Sequence, residues 1–164
     1  MMSAKEIETK LAELCTSPTG DATNNVGDHG NNDRSDRGDR SSGLHAQLTH
    51  AIVGAAIEVH RHVGPGQLEG VYQRALTSEL RRRAIPFLAQ APIMMKYKGE
   101  DIGDFVADFI VDGKVIVELK AVRALEPVHF AQVLSYLRAS ELRVGLLINF
   151  NVPLLRHGVR RLIR

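Results

Sequence analysis

The sequence predicts an α/β fold: a three-layer sandwich in which a mixed central sheet carries helices on both faces. Three observations point there. Apolar residues recur at helical spacing twice before Pro86 and once after Pro127, while the stretch between them alternates with the period of strands. The segment R-V-G-L-L-I-N-F, Arg143 to Phe150, is nearly all apolar, as a strand buried on both faces requires. Helices that flank strands in this order stack as layers around one core.

Order is expected to begin near Leu44. Leu48, Ile52, Val53, Ala56, Ile57 and Val59 mark a first helix, which the helix-breaking G-P-G at Gly64 to Gly66 ends. Leu68, Val71, Tyr72, Ala75, Leu76, Glu79 and Leu80 mark a second, closing on Arg81, Arg82 and Arg83, where cations favour the helix dipole. Three strands in an antiparallel meander follow, Phe87 to Tyr97, Ile102 to Val111 and Lys114 to Val122, with turn signals at Lys98-Gly99-Glu100 and Asp112-Gly113. Pro127 suits the first turn of a helix running through Phe130, Val133, Leu134 and Leu137 to about Ser140. The tail from Pro153 to Arg164 adds a short strand or helix.

Residues 1–43 read differently. From Thr16 to Gly43 the chain is dense in Gly, Asn, Asp and Ser and almost free of apolar side chains, so it cannot bury enough surface to offset its ordering entropy. A disordered extension is expected, with a short helix at Lys5 to Leu14, before a single domain at residues 44–164. The Asp/Asn/Gly repetition lacks the spacing and closing glutamate of a calcium loop. One cysteine, Cys15, excludes an internal disulfide and a cysteine-ligated cluster. No apolar run is long enough to span a bilayer and no secretory signal is visible, so no membrane association and a cytoplasmic location are expected. The first 43 residues hold eight acidic and five basic side chains; the remainder holds 11 acidic and 16 basic, a mildly basic domain compatible with a polyanion.

The run V-I-V-E-L-K-A-V, Val115 to Val122, is where chemistry enters. Glu118 and Lys120 are two apart and share one face of an otherwise aliphatic strand. Whether Asp108 joins them depends on the hairpin. A two-residue Asp112-Gly113 turn would put Asp108 on the opposite face, whereas a three-residue loop, Val111-Asp112-Gly113 with a G1 bulge, brings Asp108, Glu118 and Lys120 together. The second register is expected, with Ile110 and Ile116 on the same face and Phe109, Val111, Val115, Val117 and Leu119 on the other. Two converging carboxylates make a hard oxygen site suited to Mg²⁺ or Mn²⁺, and a lysine beside them can orient or deprotonate an attacking water or offset charge on a phosphate.

Asp108 with Glu118-Leu119-Lys120, in this order of elements, resembles the PD-(D/E)XK nuclease superfamily. G-Q-L-E-G-V-Y, Gly66 to Tyr72, matches the motif of the GxxExxY family of small bacterial proteins within it, and the resemblance extends from about Leu48 to Leu162. It implies a Mg²⁺- or Mn²⁺-dependent nuclease acting on DNA or RNA. Asp108, Glu118 and Glu69 are then the acidic, metal-binding residues and Lys120 the catalytic lysine. Gln132 and Tyr136 resemble the Q-x-x-x-Y element of RecB-type nucleases, which supports the site and approaches nucleic acid. A homodimer is compatible with the sequence.

Each piece also has a plainer reading. An E-x-K strand taken alone is more often a surface ion pair, Glu69 a first-turn carboxylate, and Tyr72 a core residue. His60 and His62 diverge on a helix, which suits a surface or hinge role, and His129 reads as a satisfied structural histidine. Arg81 to Arg83 and the cluster Arg156, Arg160, Arg161 and Arg164 are solvated faces first and phosphate contacts second. Besides the nuclease, two readings stand: a catalytically silent module of the same fold that binds nucleic acid or a protein partner, and a buried charge network that only stabilises.

Overall fold

A computed structural model describes residues 43–164. Helices α1 (Ala46–Val63) and α2 (Glu69–Arg82) precede strands β1 (Phe87–Tyr97), β2 (Glu100–Val111) and β3 (Val115–Lys120). Helix α3 (Pro127–Ser140), strand β4 (Val144–Asn149), a 3-10 turn (Leu155–His157) and strand β5 (Val159–Ile163) complete the chain. The tail therefore contains both a helical turn and a strand. The expected helix at Lys5 to Leu14 and the linker after it lie outside the described residues. No described helix is long and apolar enough to cross a membrane.

The sheet runs β1-β2-β3-β4-β5, with β3 at its centre. β1, β2 and β3 form the antiparallel meander; β4 lies parallel to β3 after the crossover through α3, and β5 returns antiparallel to β4. This is the mixed sheet predicted. On one face Phe109, Val111, Val115, Val117, Leu119, Leu146 and Ile148 pack under α1 and α2, through Ile52, Ala56, Val59, Leu76 and Leu80. On the other, Ile110, Ile116 and Leu147 pack under α3, through Val133, Tyr136 and Leu137. All six residues of β4 are buried, as its apolar run requires. α3 lies so close to the sheet that a Cβ on Gly145 would sit 2.6 Å from Val133 Cγ1.

Three local expectations are corrected. The loop between β2 and β3 is Asp112-Gly113-Lys114, one residue later than expected. Val111 pairs with Val115, and Lys114 N–H closes the turn on the Val111 carbonyl at 3.0 Å. Burial decides this: Val111 is fully buried and stays in the ladder, while the exposed Lys114 pairs with Asp112 in the turn. Because the displacement is by one residue on each side of the pairing, the faces are unchanged. β3 ends at Lys120 rather than Val122, because the Asn149 side chain takes both the N–H and the carbonyl of Val122. On α1, His60 is buried and Ile57 exposed, the reverse of expectation; His60 Nε2 lies 2.8 Å from the Val152 carbonyl oxygen and ties the helix to the loop after β4.

Candidate active site

The start of α2 is set by the loop G-P-G-Q-L. Gly64 (φ 72°) and Gly66 (φ 91°) both have a positive φ, which a glycine adopts without penalty. Tyr72, fully buried and stacked on Phe150 at 4.4 Å, reaches back to this loop. Its hydroxyl donates to the Gly64 carbonyl at 2.7 Å and accepts from Gln67 N–H at 3.1 Å. The loop is thereby locked, and Glu69 becomes the first residue of α2. There its carboxylate feels Lys120, Asp108 and the Ala121 N–H; burial outweighs the favourable members of that set and raises its pKa.

A fork in the sheet creates the rest of the site. The β2–β3 ladder pairs Val111 with Val115, Ile110 with Ile116 and Phe109 with Val117, and then stops. At the next step the strands part, and Asp108 Oδ2 accepts the N–H of Leu119 at 2.8 Å, a side chain standing in for a ladder carbonyl. Glu118 lies beside it on the same face. Its Oε1 accepts from Lys120 Nζ at 2.8 Å, with both side chains largely buried. Its Oε2 is buried with no hydrogen-bond partner.

The electrostatics follow from that geometry. Burial, and next the charge of Asp108, push the Glu118 carboxyl up to about 7, against the hydrogen bond and charge of Lys120 and the backbone N–H of Asp108. Asp108 is also raised by burial, although Leu119 N–H, Lys120 and Gln90 oppose the shift. For Lys120 burial works against the ammonium, but Glu118, Glu69 and Asp108 together outweigh it and its pKa rises. Three carboxylates thus crowd one ammonium, and the deficit is of positive charge.

α3 closes the site from the other side. Gln132 Nε2 donates to the Tyr136 hydroxyl at 2.7 Å, one helical turn apart. Burial raises the Tyr136 pKa; the Gln132 hydrogen bond lowers it, and the charges of Glu118, Lys120 and Asp108 are all felt there. His129 Nδ1 accepts the Glu126 N–H at 2.9 Å as part of a capping box at the start of α3, a structural role. His62 stays on the surface beside Glu58. The arrangement can bind a cation and present an ammonium to an anion at one point.

The model of one family, the PD-(D/E)XK nuclease superfamily, matches residues 46–162. The chain belongs to that superfamily. No curated protein and no solved structure matches the chain.

PD-(D/E)XK nucleases typically use divalent metals, and the chemistry of the residues here fits one. A buried carboxylate oxygen with no partner is unfavourable unless a proton or cation meets it, and Glu118 Oε2 is such an atom beside a second carboxylate. Among the described residues no group of three or more His, Cys, Asp or Glu side chains is gathered closely enough to hold an ion unaided. Few protein ligands, with water and phosphate filling the other positions, is how Mg²⁺ is commonly bound.

Sequence reasoning missed three residues that hold the candidate site together. Gln73 Nε2, one turn after Glu69, lies 3.4 Å from Asp108 Oδ1, and its spacing from Glu69 was a readable signal. Gln90 Nε2 lies 3.3 Å from the same oxygen. It has φ 49° within β1, and there the strand exchanges faces: Phe87 and Ala89 pack under α1 and α2, Ala91 and Ile93 under α3. Asn149, almost fully buried next to Lys120, anchors Val122 as described above. Neither Gln90 nor Asn149 carries a local sequence signal.

Proposed function

We propose that the protein is a divalent-metal-dependent nuclease that hydrolyses phosphodiester bonds of DNA or RNA. Asp108 and Glu118 would hold Mg²⁺ or Mn²⁺ with Glu69 beside them. The observation that carries this reading is the buried, unpartnered Glu118 Oε2 next to Asp108, a local excess of negative charge that a cation relieves. When bound, the ion supplies charge neutralisation at the phosphate and acidifies water.

The chain's own residues supply the remainder. Glu118, Glu69 and Asp108 favour the Lys120 ammonium against burial, which suits it to donate to a phosphate oxygen. The bond to Glu118 fixes its direction. Leu119 N–H, Gln73 and Gln90 orient Asp108. Gln132 and Tyr136 form a polar wall on the α3 side, placed to contact substrate. The finer placement in the GxxExxY family is supported by Gly66, Glu69 and Tyr72: a turn, a site carboxylate and the clamp that aligns them.

Calorimetric titration with Mg²⁺ and Mn²⁺ tests the reading on wild type, Asp108→Ala and Lys120→Ala, followed by cleavage of a panel of DNA and RNA substrates. Binding is expected in wild type and in Lys120→Ala but not in Asp108→Ala, with cleavage lost in both variants. A folded wild type that binds no metal at millimolar concentration overturns the nuclease and leaves the silent module.

A further inference from the structure

The C-terminal arginines look alike in the sequence, R-H-G-V-R-R-L-I-R, but the sheet register separates them. Glu118 of β3 pairs with Leu147 of β4, and Leu147 pairs with Arg160 of β5. Residues opposite one another on adjacent strands point to the same side of the sheet. The packing agrees along every row. Ile116, Gly145 and Leu162 form a row on the α3 face, and Leu119, Ile148 and Val159 a row on the α1 and α2 face. Arg160 therefore shares both row and face with Glu118, two strands away, about 10 Å between backbones at ordinary strand spacing.

Its neighbours are placed otherwise. Arg161 turns to the α1 side, where Nη2 donates to the Leu44 carbonyl at 2.6 Å. Arg164 lies at the far end of the sheet, its N–H on the Arg143 carbonyl and its guanidinium on the Leu137 carbonyl. Lys114 is also at that far end, paired with Asp112.

Arg160 is exposed, and its Nη1 donates to the carbonyls of His157 at 3.0 Å and Val159 at 2.9 Å. Those bonds pin the guanidinium over the 3-10 turn while Nε and Nη2 keep three further donors. Among the described residues no carboxylate pairs with it. Arg156, exposed on the same turn, lies at the same end of the sheet. A fixed, unpaired, multidentate cation on the face of a carboxylate site suits a phosphate diester.

Resting on the nuclease reading, we infer that Arg160 binds a backbone phosphate of the nucleic-acid strand a short distance from the one at Asp108 and Glu118. Because β4 is buried under α3, the strand then passes along the end of the sheet where β3 and β4 finish, toward the 3-10 turn and β5. Contact is with the backbone, so it carries no base preference and applies to DNA and RNA alike.

The test is equilibrium binding of fluorescent single-stranded and duplex oligonucleotides across a salt series. Ca²⁺ is used to measure binding with cleavage monitored in parallel, on wild type, Arg160→Ala, Arg160→Lys and Lys114→Ala. Thermal melting of each variant confirms the fold. Arg160→Ala is expected to weaken binding several-fold and to lower the slope of log K against log salt by about one. Arg160→Lys keeps most of the slope, and Lys114→Ala changes neither quantity. Wild-type affinity and slope in a folded Arg160→Ala overturn the inference while leaving the nuclease standing. A wild type that binds no oligonucleotide overturns both.

Discussion

The two ends of β3 differ in one respect that accounts for the site. At the Val115 end the ladder to β2 is closed, with Val111 on Val115, Ile110 on Ile116 and Phe109 on Val117. The side chains there, Ile110, Val111, Val115 and Ile116, are apolar and fully buried. At the Lys120 end β2 has departed, and the polar groups it abandons must be met by something else. Asp108 meets one of them, while Glu118 is buried without a complete set of partners. One end therefore stores stability and the other concentrates charge. The lesson is that a candidate active site can be made by ending a ladder early rather than by adding a loop.

Breaking the closed end is expected to have the largest effect on stability. Ile116→Ala removes a fully buried side chain between the sheet and α3 and should cost about 2–5 kcal/mol in chemical denaturation. Metal affinity of the folded fraction should stay within a few-fold of wild type, because the carboxylates sit beyond the closed ladder.

The open end sharpens the contrast through pH. The folded Glu118 has a pKa of about 7 against an ordinary value of 4.5, so it binds its proton more tightly folded than unfolded. Its contribution to stability is therefore fully present below about 4.5 and is lost as pH rises through about 7. Asp108 and Glu69 act in the same direction. Melting temperature of the metal-free protein should fall over that window. Glu118→Gln should flatten the fall and stabilise the protein at pH 8 by on the order of 2 kcal/mol. Added Mg²⁺ should restore wild type and leave Glu118→Gln unchanged. A wild-type melting temperature that rises through the window would contradict the unpaired state of Glu118.

The smallest expected effect is at Gln90. Gln90→Gly relieves a left-handed backbone conformation while removing a long hydrogen bond to Asp108, so stability should move by less than about 1 kcal/mol. Mg²⁺ affinity should nonetheless drop a few-fold by calorimetry, since Asp108 loses one of the amides that orient it.

Much of this molecule was legible from local pattern. The bounds of β1 and α3, the two faces of β3 and the convergence of Asp108 with Glu118 follow from alternation and turn chemistry within one hairpin. Turn preference alone places the loop one residue too early, because it does not register that Val111 is fully buried. The burial of His60 is invisible to local pattern for a similar reason. On the helix alone it is one of two diverging histidines, and only the Val152 carbonyl, 92 residues away, makes its burial acceptable.

By itself, then, the sequence determined the order of elements, the apolar faces that force a three-layer stack and the pairing of Glu118 with Lys120, since each depends on periodicity over a few residues. Only the tertiary structure decided where β2 leaves β3, which amides orient Asp108, and which arginine shares the Glu118 face. Those depend on register between strands joined through a crossover helix and a 3-10 turn, and such register is set by packing across the whole sheet.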